Sequence, residues 1–157
     1  RPRSLVDSAT PAANSVAADV LLRLALLSGD EDHDRRARSI LRAVAPALDR
    51  QPSAFGRMLC AVDRSLAGPS DAVVAAAAPD DALAVRLRQA AARPYAPDLV
   101  IAATSPGSST SSWPIFADKL PRDGTATAYV CRGYACEAPT SDPSVAVEQV
   151  ERLATRP

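Results

Sequence analysis

The sequence predicts an α+β fold in which three helices are followed by a small α/β segment. Over the first part of the chain, apolar side chains recur at spacings of three and four residues, which is typical of helices packed on one side. After Pro69, short apolar runs of strand length alternate with helical segments. Gly68-Pro69 separates these two patterns, so we expect one segment over 1–69 and a second over 70–157.

The first segment is expected to hold three helices joined by short connections. The first runs from about Asn14 to Ser28 and ends at Gly29, and the second continues to about Arg50. Ser53 is expected to cap the third. The side chains expected to face inward are Val16, Val20, Leu24 and Leu27, then Ala37, Ile40, Leu41, Val44 and Leu48, then Phe55, Met58, Leu59, Val62 and Leu66.

The first helix is apolar on nearly every side and therefore calls for more neighbours than two helices provide. The sequence begins at Arg1 without an initiator methionine. We therefore expect this chain to be a piece of a longer protein and to associate with the remainder of it.

The second segment reads as a strand–helix–strand unit with parallel strands, followed by a third strand and a last helix. The strands are expected at 71–76, 98–103 and 125–131, and the intervening helix begins after Asp80 and Asp81. Ser141-Asp142-Pro143 is typical of the start of a helix, because the acid can cap it and proline fits its first turn. Residues 105–112 are rich in glycine and serine and predict a mobile loop.

Composition excludes several classes of function. The 157 residues carry a formal net charge of zero, which argues against nucleic-acid binding and against attraction to an anionic membrane. The longest apolar run is too short to span a membrane. Three cysteines do not form a disulfide-rich secreted framework, so we expect a cytoplasmic protein.

Cys131 and Cys136 form the sharpest local pattern, because a turn at Gly133 could bring them together. They could act as a redox pair or as half of a metal site, or they could be two reduced, buried, structural thiols. Four donors are needed for zinc, and the single histidine, His33, is far away in sequence. We expect reduced structural thiols, no bound metal and no cofactor.

Asp7, Ser8, Thr10, Asn14 and Ser15 form the second constellation, in a polar loop that leads into the first helix. A ligand-binding loop is one interpretation, with Asp7 as a catalytic acid or base and Ser8, Asn14 and Ser15 binding substrate. Helix capping is the other, because serine and asparagine are favoured at helix N-termini whatever the function. The residue types alone favour capping.

Two separated stretches carry a resemblance to a known family. Residues 7–15 resemble the Asp-Gly/Ser-Ala-x-Pro-Ser-x-Asn-Ser motif of the thioredoxin-domain-containing, spermatogenesis-associated protein 20-like family. The run 128–131, Ala-Tyr-Val-Cys, followed by Cys136, Pro139 and Asp142-Pro143, resembles the C-terminal signature of the same family. Ala12 and Ala13 depart from the first motif, where the family usually has serine and a small residue.

The resemblance implies that the first three helices are the last hairpins of an (α/α) toroid, similar to N-acylglucosamine 2-epimerases and six-hairpin glycosidases. It also implies a small α/β appendage after them and a thioredoxin-like domain outside this sequence. One functional hypothesis is therefore a carbohydrate-active toroid of epimerase or hydrolase type with a sugar ligand. The alternatives are a platform for redox or protein handling that serves the thioredoxin-like domain, or a purely structural role.

Overall fold

The computed structural model describes residues 5–108 and 112–155. Residues Arg1–Ala67 and Gly68–Pro157 form two compact units, which we call the helical unit and the sheet unit. Within the described residues the chain forms five α-helices and a four-stranded mixed sheet, so the predicted α+β class is confirmed. Over the same ranges, no helix has both the length and the apolar character needed to cross a bilayer.

The helical unit consists of α1 (Ala13–Ser28), α2 (Glu31–Arg50) and α3 (Gly56–Ala67), with a short 3₁₀ turn at Pro52–Ala54. The predicted bounds of the first two helices are confirmed. Gly29 ends α1 with φ of 69°, a left-handed conformation in which glycine carries no steric penalty. The core of the unit is built from Ala18, Val44, Phe55, Met58 and Ala61.

The face of α1 that is buried differs from the predicted one. Val16 and Val20 are 41% and 44% exposed, whereas Ser15, Ala18 and Asp19 are buried. The predicted inward orientation of the two valines is therefore wrong. The helix turns its small and polar side towards α3 because Asp19 forms ion pairs there, as described below.

The start of α3 also differs from the prediction. Ser53 lies in the 3₁₀ turn and does not cap α3, which begins at Gly56. Leu59 and Leu66, predicted to face inward, are 37% and 82% exposed, while Met58 and Ala61 are buried. The helix therefore buries a narrower and smaller apolar stripe than its sequence offers.

The sheet unit has strands β1 (Ser70–Ala75), β2 (Val100–Thr104), β3 (Thr127–Arg132) and β4 (Ala135–Cys136) in the order β2-β1-β3-β4. β1 and β2 are parallel and are connected through α4 (Ala82–Ala91), which confirms the predicted strand–helix–strand unit. The other two pairings are antiparallel. A last helix, α5, spans Pro143–Ala154.

The two faces of the sheet have different coverings. Because side chains alternate along a strand, Ala72 and Val74 of β1 point to one face, where they join cores formed with α4 and α5. Asp71, Val73 and Ala75 point to the opposite face. There the polypeptide around 115–120 contacts the sheet, and its contacts are described with the site below.

The caps of α4 and α5 are local, as predicted. The Asp81 carboxylate accepts hydrogen bonds from the N–H groups of Leu83 and Ala84, at 2.8 and 3.0 Å. Asp142 accepts one from the N–H of Ser144 at 2.8 Å. The loop predicted over 105–112 lies partly outside the described residues, and its mobility stays a prediction.

Candidate functional site

Asp7 joins the beginnings of two helices. Its Oδ1 accepts a hydrogen bond from the N–H of Ala12, at 2.8 Å, just before α1. Its Oδ2 accepts from the N–H groups of Arg57 and Met58, at 2.9 and 3.0 Å, in the first turn of α3. The backbone N–H of Asp7 in turn donates to the carbonyl of Ala54 at 2.9 Å. This carboxylate therefore supplies α3 with the cap that Ser53 does not provide.

The electrostatics of Asp7 are those of a carboxylate that is ionised at neutral pH. Burial on its own would raise the pKa of Asp7, but the hydrogen bonds from the N–H groups of Ala12, Met58 and Arg57, together with the nearby Ser15 hydroxyl, outweigh it and hold the pKa below its ordinary value. The hydroxyl of Ser15 is fully buried and makes no hydrogen bond of good geometry, yet it lies close enough to assist. A carboxylate in this state is a structural acceptor at neutral pH.

The other residues of the predicted loop differ in exposure. Ser8 is exposed, and both its N–H and its hydroxyl approach the carbonyl of Thr10, at 3.2 and 3.4 Å. Asn14 is half-buried in the first turn of α1. The N-cap of that helix is Ala12, so Asn14 and Ser15 do not occupy the cap position. The structure thus brings Ser15 to Asp7 and leaves Ser8 facing solvent.

Asp19 is a second buried carboxylate, which the sequence analysis did not single out. Oδ1 accepts from Nε of Arg64 at 2.8 Å, and Oδ2 accepts from Nη2 of Arg57 at 2.6 Å and Nε of Arg23 at 3.1 Å. Burial tends to raise the pKa of Asp19, but the hydrogen bonds from the arginines prevail and lower it. One available signal was a single acid in the middle of a largely apolar helix, four residues before Arg23.

Cys131 and Cys136 form a disulfide across the antiparallel pair β3–β4. The prediction of two reduced thiols is therefore wrong, and so is the expectation that both are buried, because Cys136 is exposed. The expected cytoplasmic location followed from the small number of cysteines, and it stays a prediction. Within the described ranges, no group of three or more His, Cys, Asp and Glu side chains is arranged to hold a metal ion.

Next to the disulfide lies a buried ion pair. Asp71 on β1 is the register partner of Cys131 on β3, and its Oδ2 accepts a hydrogen bond from Nζ of Lys119 at 2.8 Å. The same ammonium donates to the carbonyl of Ile115 at 2.9 Å. Burial raises the pKa of Asp71, and the nearby charge of Lys119 opposes this rise without cancelling it.

An open cleft of about 390 Å³ lies at the carboxyl ends of the parallel strands β1 and β2. Its lining includes Thr104, Ser105 and Ser108 as well as Arg88 of α4. Ligands of α/β folds commonly bind at this edge of a parallel sheet. A guanidinium and a few hydroxyl groups do not define one class of ligand, so we assign none to this cleft.

Comparison with known proteins supports the resemblance seen in the two motifs. The chain is 33% identical over 142 residues to human Spermatogenesis-associated protein 20, and the match covers 87% of this chain and 18% of the human protein. No protein-family model matches the chain, and no solved structure matches it. The chain therefore spans about a fifth of the length of the curated relative, of which it is a distant partial homologue.

Proposed function

We propose that this chain is the C-terminal part of a larger protein related to Spermatogenesis-associated protein 20, and that its helical unit completes a helical domain there. The observation that carries the proposal is a set of large exposed apolar side chains on the helices of that unit: Val16 and Val20 on α1, and Leu59 and Leu66 on α3. Exposed apolar groups concentrated on two helices are typical of a face that packs on further helices. The 18% coverage of the relative leaves ample chain to supply those helices.

In its finer form, the proposal makes α1–α3 the last hairpins of an (α/α) toroid, followed by the sheet unit as an appendage. The partner is then the remainder of the same protein. The three N–H hydrogen bonds to Asp7 favour a structural role for this carboxylate, because proton transfer at its oxygens would weaken both helix starts. The function that the geometry supports best is therefore structural completion of the helical domain.

The packing proposal is tested by changing the exposed face without touching the core. The wild-type chain should self-associate in size-exclusion chromatography, and Val20→Gln should reduce this association. Its free energy of unfolding should stay within about 0.5 kcal/mol of the wild-type value, as is usual for surface positions. Val44→Gln is the matched control, because Val44 is only 2% exposed. Burying an amide there should lower the free energy of unfolding several-fold more than Val20→Gln does.

A monodisperse wild-type monomer with a cooperative melt, unaffected by Val20→Gln, would contradict the packing proposal. That result would mean that the helical unit covers its apolar surface without further helices.

A sugar-binding toroid of epimerase or hydrolase type is the second candidate, because Ser8 is exposed and Asn14 is only half-buried in the first turn of α1. In this candidate, Ser8 and Asn14 bind sugar hydroxyls and Asp7 is the acid or base, whereas Ser15, which was also expected to bind substrate, is fully buried and does not contact the sugar. Thermal shift with N-acetylglucosamine, N-acetylmannosamine and glucose on the intact protein tests it. A thermal shift that is abolished by Asn14→Ala would support it. The shift should be retained by the control Asp49→Ala, because Asp49 is an exposed residue of α2. The absence of a shift with all three sugars would leave the structural role.

A further inference from the structure

The two cysteines of the Cys131–Cys136 disulfide differ sharply in their exposure to solvent. Cys131 is 2% exposed, whereas Cys136 lies exposed on the two-residue strand β4. A thiol in solution can therefore approach the bond from the side of Cys136, which leaves Cys131 as the sulfur that departs. This asymmetry fixes the direction in which the bond can be opened.

The departing sulfur is not isolated in the sheet. Asp71 and Cys131 are register partners on antiparallel strands, so both side chains project from the same face with Cβ atoms about 5 Å apart. Lys119 reaches Asp71 from the polypeptide that contacts this face. The other register partner of Asp71, Val100 on β2, carries no charge. A carboxyl and an ammonium group thus lie on the same face of the sheet as Cys131, one strand away from it.

The hairpin that carries the disulfide is also stabilised by its turn geometry and by backbone hydrogen bonds. Gly133 and Tyr134 both have positive φ values, 55° and 68°, as the tightest β-hairpin turns require. The N–H of Glu137 donates to the carbonyl of Val130, and the N–H of Gly133 donates to that of Pro69, both at 2.9 Å. The bond closes a loop of only a few residues, which constrains the unfolded chain less than a long loop does. Opening it therefore leaves the turn in place.

We propose that Cys131–Cys136 is a redox-active disulfide that a dithiol reductant opens by attack on Sγ of Cys136, and that the Asp71 carboxyl donates the proton taken up by Cys131. The proposal rests on the sheet unit alone and does not depend on the packing role of the helical unit.

The reaction moves two electrons and two protons from the dithiol to the protein. A thiolate of the reductant bonds to Sγ of Cys136, and the bond to Sγ of Cys131 breaks, with its electron pair remaining on Cys131. Cys131 takes a proton from Asp71, whose carboxylate stays paired with Lys119 and regains a proton from solvent. The second thiol of the reductant then attacks the mixed disulfide and closes its own disulfide, and Cys136 leaves and is protonated from solvent.

The position of attack is tested on the wild-type chain. Treatment with glutathione under native conditions, followed by acid quenching and peptide mass spectrometry, should find the mixed disulfide on Cys136. A mixed disulfide on Cys131 would overturn the direction of attack. A disulfide that reacts with glutathione only after denaturation would overturn the redox role, irrespective of the results for the Asp71 variant.

The role of Asp71 is tested by the pH profile of reduction. The background is Cys60→Ser, because Cys60 is an exposed free thiol. The probe is a trialkylphosphine, which attacks the same sulfur and is converted by water to its oxide, so that it works in acid. Asp71→Asn should slow reduction about tenfold at pH values below the raised pKa of Asp71 and approach the background rate as the pH rises above it, since a positioned acid helps only while it holds its proton.

Asp123→Asn is the matched control, because Asp123 is exposed in the same unit and asparagine tolerates its positive φ of 51°. It should follow the background rate at every pH. Circular dichroism should establish that both variants are folded. A rate for Asp71→Asn that equals the background throughout, or that is lower by one constant factor, would contradict proton donation; if that variant does not fold, the glutathione experiment decides the proposal.

Discussion

Replacing Asp7 by alanine should destabilise the helical unit by about 2 kcal/mol. The change removes the carboxylate oxygen that accepts from two N–H groups in the first turn of α3, and losing a helix cap of this kind costs about 1 kcal/mol. It also removes the acceptor for the N–H of Ala12, a charge-assisted hydrogen bond that contributes about 1 kcal/mol or more where water has partial access. For a unit of this size, 2 kcal/mol corresponds to a fall in Tm of roughly 10 °C.

The assay is urea unfolding followed by far-UV circular dichroism. The midpoint should fall without a change in the m-value, because the folded state buries nearly the same surface. Asp30→Ala is the matched control: the Asp30 carboxylate caps α2 by accepting from a single N–H, that of Asp32, at 2.8 Å. It should cost less than Asp7→Ala. An Asp7→Ala variant within about 0.5 kcal/mol of wild type would refute the reasoning.

The difference in free energy of unfolding between wild type and Asp7→Ala should also depend on pH. The pKa of Asp7 in the folded chain lies below its ordinary value of 3.8, so the carboxylate stabilises the fold above that value. This contribution is lost as the pH falls through the lowered folded-state pKa. The difference between wild type and Asp7→Ala should therefore shrink in that range, and a difference that stays constant would mean that the lost stability is not electrostatic.

Asp19→Ala should cost about 3–5 kcal/mol in urea unfolding, because it takes a buried partner away from Arg64 and Arg57. Asp34→Ala, which removes an exposed pair on α2, should cost no more than about 0.5 kcal/mol, and equal losses for the two would contradict the assignment. The pH dependence of stability due to Asp71 should be opposite to that due to Asp7, because the folded-state pKa of Asp71 is raised. Wild type should therefore gain stability relative to Asp71→Asn as the pH falls through that pKa towards 3.8. A gain on raising the pH would contradict that sign.

The features that could be predicted from the sequence are those whose partners lie close together along the chain. Asp81 and Asp142 each cap the helix that begins one residue later, so local residue types were enough. The parallel pairing of β1 with β2 followed from a single helix between two apolar runs. The same reasoning misplaced the start of α3, because its cap comes from Asp7, about 50 residues earlier.

Periodicity predicted the existence of α1 but not its orientation. Val16 and Val20 are four residues apart, and so are Ser15 and Asp19, so the spacing describes either face equally well. The choice is made by Arg57 and Arg64, which lie seven residues apart on α3 and both reach Asp19. An ion pair between distant segments has no signal in local hydropathy, which is why the apolar face was taken to be the buried one.

The spacing of Cys131 and Cys136 is compatible with a redox pair, a metal site or free thiols. The geometry of the turn between them favours a disulfide. Two successive residues with positive φ, Gly133 and Tyr134, place the cysteines directly opposite each other on β3 and β4. Glycine at the first position was a visible signal. Tyrosine at the second was not, because a bulky residue rarely adopts that conformation.

The carboxylates of Asp7, Asp19 and Asp71 differ in how many groups hold them, and this difference separates structural from chemical roles. Asp7 is fixed by three backbone N–H groups and Asp19 by three guanidinium groups, and both have lowered pKa values. Protonating either would release several interactions at once, so neither is suited to exchange a proton in a reaction. Asp71 is held by one ammonium, has a raised pKa and lies opposite a disulfide cysteine. Asp71 can be protonated and deprotonated at the expense of one hydrogen bond. Proton transfer is therefore expected in the sheet unit rather than at the polar loop before α1.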